Sequence, residues 1–313
     1  MPPIVALARD SQSSRLATEG SNQIMLQLGG DWLSAHKSRW FGLLAVLPSL
    51  LGLGLFYILP FFSSLSYTFT QGVVQPKFVG LNNFWELAAN PVFQRATANT
   101  AVFLALGIPL VLALSLVLSV IIAKRPFGWQ RWVLLLPLVV PSASLALGWQ
   151  SLWGAQGLVG RLLRTPEADF LHGPLAFPLV LLLYVLKNLG FLSIILTGAI
   201  QVLPLEYWES YRLESDSEAG FIQKVLLPLI SPAILFAGVA AVMNYFLLFR
   251  DIYALYGDNP PKQVYMLQQF MNRSFYQLNY QQLSAAAFLT VLSLSVLAAA
   301  LVLIQRRAVR YVG

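Results

Sequence analysis

The sequence predicts an all-α integral membrane protein with six membrane-spanning helices and both termini in the cytoplasm, and three observations lead there. First, 57% of its 313 residues are hydrophobic and only 11% are charged, with a mean hydropathy of +0.67. A water-soluble domain of this length would lack the polar side chains to cover its surface, so a soluble globular enzyme is excluded. Second, the charged residues leave free windows at 40–76, 96–123, 132–160, 225–249 and 274–305, and a sixth window, 170–205, contains Lys187 alone. Each exceeds the about 20 residues an α-helix needs to cross about 30 Å of hydrocarbon. Third, the basic residues are unevenly shared between the two sets of connections. The amino-terminal tail, loops 2–3 and 4–5 and the carboxyl tail hold twelve, and the opposite set holds seven. The positive-inside rule then puts both termini on the cytoplasmic side.

The formal charge of +7 does not point to nucleic acid, because the basic residues stand at the ends of apolar spans and form no long run. There is no cysteine, which excludes disulfides, thiolate catalysis and cysteine zinc sites, and His36 and His172 have no ligand spacing. Residues 1–39 read as a polar cytoplasmic tail without a signal-peptide core and cleavage site, 40–307 as the membrane domain, and 308–313 as a short cytoplasmic end. Within the tail, Ile24 to Leu28 is apolar but too short to anchor it.

The first span runs from Trp40 to about Tyr67 and carries Pro48 and Pro60, which membrane helices tolerate where other groups satisfy the freed carbonyls. Residues 68–95 form an outer amphipathic segment with one short helix, leading into a second span near 99–123. Lys124, Arg125 and Pro126 close that span. The third, 131–153, contains Pro137 and Pro141 and ends on Trp149 and Trp153, read as interfacial anchors. Residues 154–174 form an outer loop. The fourth span covers 175–202, the fifth 226–250 and the sixth 281–305, the last with small residues suited to close helix packing.

The connection between spans four and five, 203–227, is the most informative stretch. Pro204 can start a helix, Glu206 and Glu209 suit its first turn, and Ser215 to Ser217 can turn the chain into a second helical piece ending at Pro228. A helix-turn-helix of this kind presents a rigid knob to a partner in the cytosol.

This stretch resembles the EAA loop of binding-protein-dependent ABC importer permeases, whose pattern is E-A-A-x-x-D-G-A-S followed by L-P-L-L-x-P. Aligned on Glu209, the family proline falls on Pro228 without a gap. Val79 to Phe84 with Asn99-Thr100, Leu135 to Pro141 and Phe249 to Tyr253 resemble further parts of the carbohydrate branch, the maltose and glycerol-phosphate permeases. The family's two small residues are Ser210 and Tyr211 here, its aspartate is Glu214 and its glycine is Ser215, a residue ill suited to positive φ. The resemblance implies a type I ABC importer permease of a prokaryotic plasma membrane, with Glu206, Glu209, Ser210, Tyr211, Glu214, Ser215, Phe221 and Pro228 forming the ATPase-coupling loop. It also implies a second homologous permease, a pair of cytoplasmic ABC ATPases and an external solute-binding protein. The chain has no G-x-x-x-x-G-K-[ST], so ATP and magnesium belong to the ATPase chains, and this chain is expected to hold no cofactor and no metal.

A sugar crossing the membrane exchanges water for amides, hydroxyls and aromatic faces. Spans four and five supply Tyr184, Lys187, Asn188, Asn244 and Tyr245 as pathway candidates, with Phe191 and Ser193 nearby. The same side chains also suit interhelical hydrogen bonding, and Lys187 suits either cargo contact or a structural, snorkelling role. The alternatives left open are a permease for a non-carbohydrate solute such as a polyamine, and a membrane scaffold that transports nothing.

Overall fold

A computed structural model describes residues 44–72, 75–124, 128 and 130–310. The tail 1–39, with its apolar segment 24–28, lies outside the described residues. Two compact units divide the chain, Met1–Ser64 and Leu65–Gly313. Helix α1, Leu44–Phe69, is the first membrane-length helix, and its apolar window is exposed all round. It contains a wide π turn, Gly54–Ile58, in which Leu59 N–H bonds the Gly54 carbonyl, two residues ahead of Pro60. A proline ring would strike the carbonyl four residues back in a regular helix, and the widened turn makes room for it.

In the second unit the last turn of α1 is followed by a two-stranded ribbon, β1 (Thr70–Gln71) against β2 (Lys77–Phe78), which hydropathy gives no reason to expect. Helix α2 (Asn82–Ala89) follows, and its buried Asn83 donates to the carbonyls of Thr68 and Thr70 at 2.9 and 3.0 Å. Helix α3 begins at Pro91 and continues to Ala123, so the second span starts in helix well before residue 99. The cause is Asn90, whose side chain caps Val92 and Phe93 N–H ahead of Pro91. Asn99 instead ties α3 to the carbonyls of Lys262 and Tyr265.

The third span is not one straight helix. Helices α4 (Gln130–Val139) and α5 (Ser142–Trp153), the latter followed by α6 (Leu158–Leu162), meet at a 103° bend. Pro141 is extended, with ψ 140°, and Val140 before it is not helical. Trp149, read as an interfacial anchor, is buried against Leu171, Leu183 and Leu255, with Trp153 packed beside it.

Helix α7 (Ala176–Gln201) is the axis of the unit. Phe103 of α3 meets Phe177 and Tyr184 of α7 edge-on, and Gly190 lets the Leu134 carbonyl of α4 approach so closely that a Cβ there would overlap it. Helix α8 (Glu206–Glu214) and helix α9 (218–229) form the next connection. Helix α10 (Ser231–Leu247) continues into α11 (Phe249–Tyr256), a segment Lys262–Val264 winds as one 3₁₀ turn, and α12 (Leu267–Tyr276) leads to α13 (Tyr280–Arg310). Among the described residues five helices are long and apolar enough to cross a membrane, or six if the bent pair counts as one crossing.

Candidate functional site

The two groups of residues singled out in the sequence occupy different environments. In loop 203–227, α8 starts at Glu206 and both Glu206 and Glu209 fall in its first turn, where carboxylates complement the helix dipole. Ser215 takes extended backbone, φ −163°, so the turn needs no glycine and the departure from the family pattern costs nothing. Ser217 then caps α9, its hydroxyl accepting from Gly220 N–H at 3.1 Å. Helix α9 does not stop at Pro228 but passes through it to Leu229. The π turn Ile222–Leu226 places the wide register ahead of the proline, as in α1.

An aromatic base holds the two pieces together. Trp208 and Tyr211 lie edge-on to Phe221 at 4.4 and 5.6 Å between ring centres, and the Arg212 guanidinium covers Trp208 at 5.0 Å. Tyr211 replaces a small family residue, and its hydroxyl lies where a Cβ on residue 220 would be, so Gly220 is the space that the tyrosine fills. Lys124 at the end of α3 pairs with Glu218 at 3.0 Å, joining the knob to that helix. A cavity of about 420 Å³ opens beneath α8, walled by Ile200, Trp208, Phe221 and Leu226. The outward side carries Glu206, Glu209, Ser210 and Glu214, all exposed, around a Leu213 that is 90% exposed.

In the mid-span group Tyr184, Asn188 and Tyr245 are buried, and Lys187 and Asn244 are partly so. Asn244 Nδ2 donates to Asn188 Oδ1 at 2.6 Å, Asn188 Nδ2 donates to the Tyr184 carbonyl at 2.8 Å, and the Tyr184 hydroxyl donates to the Ala241 carbonyl at 2.8 Å. These bonds close a loop between α7 and α10. Tyr245 reaches Thr100 of α3 and Gln268 of α12, each at 3.1 Å. Lys187 is not a lone charge: its ammonium meets both oxygens of Asp251, at 2.9 and 2.8 Å, and Asp251 is 2% exposed. Asp251, Thr100 and Gln268 are the members that sequence reasoning passed over. The signal for Asp251 was the unpaired lysine itself, since a cation within a span demands a counter-ion. In the segment after α11, burial pushes the Tyr265 phenol up, with nearby Arg273 opposing.

Known proteins resemble this chain in sequence and in fold. The "Probable ABC transporter permease protein YesP" of Bacillus subtilis is 24% identical over 278 residues, covering 83% of this chain and 89% of that protein. The "Trehalose/maltose transport system permease protein MalF" of Thermococcus litoralis is 24% identical over 235 residues, covering 72% and 80%. The chain resembles the permease subunits of sugar ABC transporters. A solved bacterial ABC transporter for import of the acidic polysaccharide alginate has a chain of the same fold, with TM-score 0.74, 20% identity and coverage of 87% of this chain and 96% of that one. A second alginate-transporter structure, in complex with an alginate pentasaccharide-bound periplasmic protein, matches with TM-score 0.70 and 21% identity over 88% and 96%. No family model matches the chain. These likenesses support a multi-pass membrane permease for carbohydrate transport.

Proposed function

We propose that this chain is one of two permease subunits of an ATP-driven carbohydrate importer, that it crosses the membrane six times with both termini in the cytoplasm, and that the α8–α9 knob is its ATPase-docking element. The observation that carries this reading is the knob itself, an exposed acidic face with a bare Leu213 set on a packed aromatic base. Such a face leaves its carboxylates and one apolar side chain free to meet a partner, and the packed base, which touches α7 and α10, can pass a partner's movement to them. A solved alginate transporter of this fold is in complex with an alginate pentasaccharide-bound periplasmic protein, which supports a solute-binding partner on the outer side. Hydrolysis of ATP is assigned to the partner ATPases.

Of the five expected pathway residues, Lys187 and Asn244 keep part of their surface and are assigned to cargo contact. Tyr184, Asn188 and Tyr245 are buried; Asn188 holds Asn244, and Asp251 holds Lys187. The test is ATP-dependent uptake in proteoliposomes by the complex of both permeases, the ATPase and the binding protein. Uptake of maltose or trehalose with stimulated ATPase activity is expected, and omission of this chain abolishes both. Uptake of a polyamine alone would reassign the cargo, and no uptake of any solute would leave a scaffold. In the same preparation, single cysteines at Ser217 and Glu167 are expected to label only from the cytoplasmic and the outer side, respectively, and the reverse pattern would invert the topology.

A further inference from the structure

At the far end of α10 and α11 from the knob, α11, the turn after it and α12 enclose a second pocket, of about 210 Å³. Gly257, at φ +62°, ends α11 and turns the chain so that Asp258 and Asn259 face back toward α12. From α12 come Gln269, Asn272, Arg273 and Tyr276, spaced i, i+3, i+4 and i+7, so one polar stripe of this helix lines the pocket. The opposite stripe, with Leu267 and Phe270, is buried in the core against Phe93 and Ala96. Polar helix faces often do no more than meet water, but Gln269 does not: it is 5% exposed, its Oε1 accepts Met266 N–H at 3.1 Å, and its Nε2 has no partner. A buried amide N–H₂ without an acceptor costs free energy that a ligand oxygen would restore.

The chemistry of the walls narrows the ligand. Tyr253 and Tyr276 offer ring faces, and the Tyr253 hydroxyl lies beside Asp258. Asp258 is the one carboxylate among the lining residues, too few for a metal ion and repulsive to a phosphate. Amides, a carboxylate and a guanidinium beside aromatic faces match a neutral ring that donates and accepts hydrogen bonds around its edge and is apolar on its face. The geometry points to an outer carbohydrate subsite, in which one sugar ring of a neutral saccharide stacks on Tyr276 and draws the amide of Gln269, a lining residue whose Nε2 lies covered, round to donate to a ring oxygen. It rests on the carbohydrate-import reading and adds a place where cargo pauses on this chain, apart from Lys187 and Asn244.

The test uses the absence of cysteine in the chain. Asn272→Cys is placed in the assembled transporter, and its maleimide labelling rate is measured with and without maltose, trehalose or lactose. At least one of these sugars should slow labelling, and Gln269→Leu should abolish that protection. Because Gln269 also holds Met266 N–H, Tyr276→Ala on the exposed rim gives a second arm, expected to weaken the protecting sugar about three- to tenfold. Equal labelling with and without all three sugars overturns the subsite, as does protection that survives both variants. Sugar uptake by the same transporter would then leave the import reading standing, whereas failure of uptake counts against that reading and not against a measured protection.

Discussion

The α8–α9 knob and the α7–α10 node are built from similar residue types and use them in opposite ways. Both combine tyrosine, acid and base. In the knob Trp208, Tyr211 and Phe221 pack inward and the carboxylates Glu206, Glu209 and Glu214 face water, so its charges are available to another chain. In the node Tyr184, Asn188, Tyr245 and Asp251 are buried, and the two amides, the lysine and the aspartate are paired with one another or with backbone within the subunit. A charge left in water costs the fold nothing, and a charge in the interior must be answered on the spot. Substitutions in the node should therefore act on stability first, and substitutions on the outward face of the knob should act on assembly and leave stability nearly unchanged.

The largest stability effect is expected at the ion pair. Lys187→Met strands the Asp251 carboxylate at 2% exposure, and loss of one partner of such a pair costs about 3–5 kcal/mol. The thermal midpoint of the purified chain in detergent should fall sharply, and adding Asp251→Leu to Lys187→Met should recover much of the loss. An unchanged midpoint for Lys187→Met would remove the pair from the account.

Next come two glycines that separate the regions by what a new methyl meets. Gly190→Ala runs into the Leu134 backbone carbonyl, which cannot swing away, so α4 and α7 must part at a cost of about 1–3 kcal/mol. Gly220→Ala meets side-chain atoms alone, the hydroxyl end of Tyr211 first and the Ser217 side chain less closely, and Tyr211→Phe should relieve part of the clash. Equal costs at both positions, or no relief by Tyr211→Phe, would show that the close approaches are not as drawn. A smaller loss, about 1–2 kcal/mol, is expected for Asn244→Ala, which leaves Asn188 Oδ1 without its donor. If Asn244 also touches cargo, this variant should change the KM ratio between maltose and trehalose. A stability loss with an unchanged ratio would confine Asn244 to the helix tie.

The spans were readable because a hydrocarbon solvent removes charge from long runs, and windows such as 96–123 and 170–205 show this directly. What escaped depends on contacts distant in sequence or on backbone register. Pro137 and Pro141 stand in one continuous apolar run, and nothing in that run says which proline breaks it; Pro137 stays within α4 and the bend falls at Pro141. The loop 203–227 was singled out by the Glu209 to Pro228 register, yet Ser215 looked like a flaw because the glycine of the resembled pattern suggested positive φ. Its backbone is in fact extended, and the fit between Tyr211 and Gly220 could be seen only once the two helices faced each other. The partner of Lys187 lies 64 residues away, just beyond the window taken for the fifth span, because α11 carries helix past Arg250.

The central claim is that the outward face of the knob docks an ATPase, and Glu209→Lys tests it most directly. Glu209 is exposed and makes no ion pair among the described residues, so the variant chain should insert as the wild-type chain does. It should lose at most about 1 kcal/mol with its favourable place in the first turn of α8, leaving the thermal midpoint close to wild type. Copurification of the ATPase with the membrane complex and ATP-driven sugar uptake are measured side by side. A thermal midpoint close to wild type with loss of both copurification and uptake is the predicted result. Wild-type copurification and uptake in Glu209→Lys would contradict the docking role.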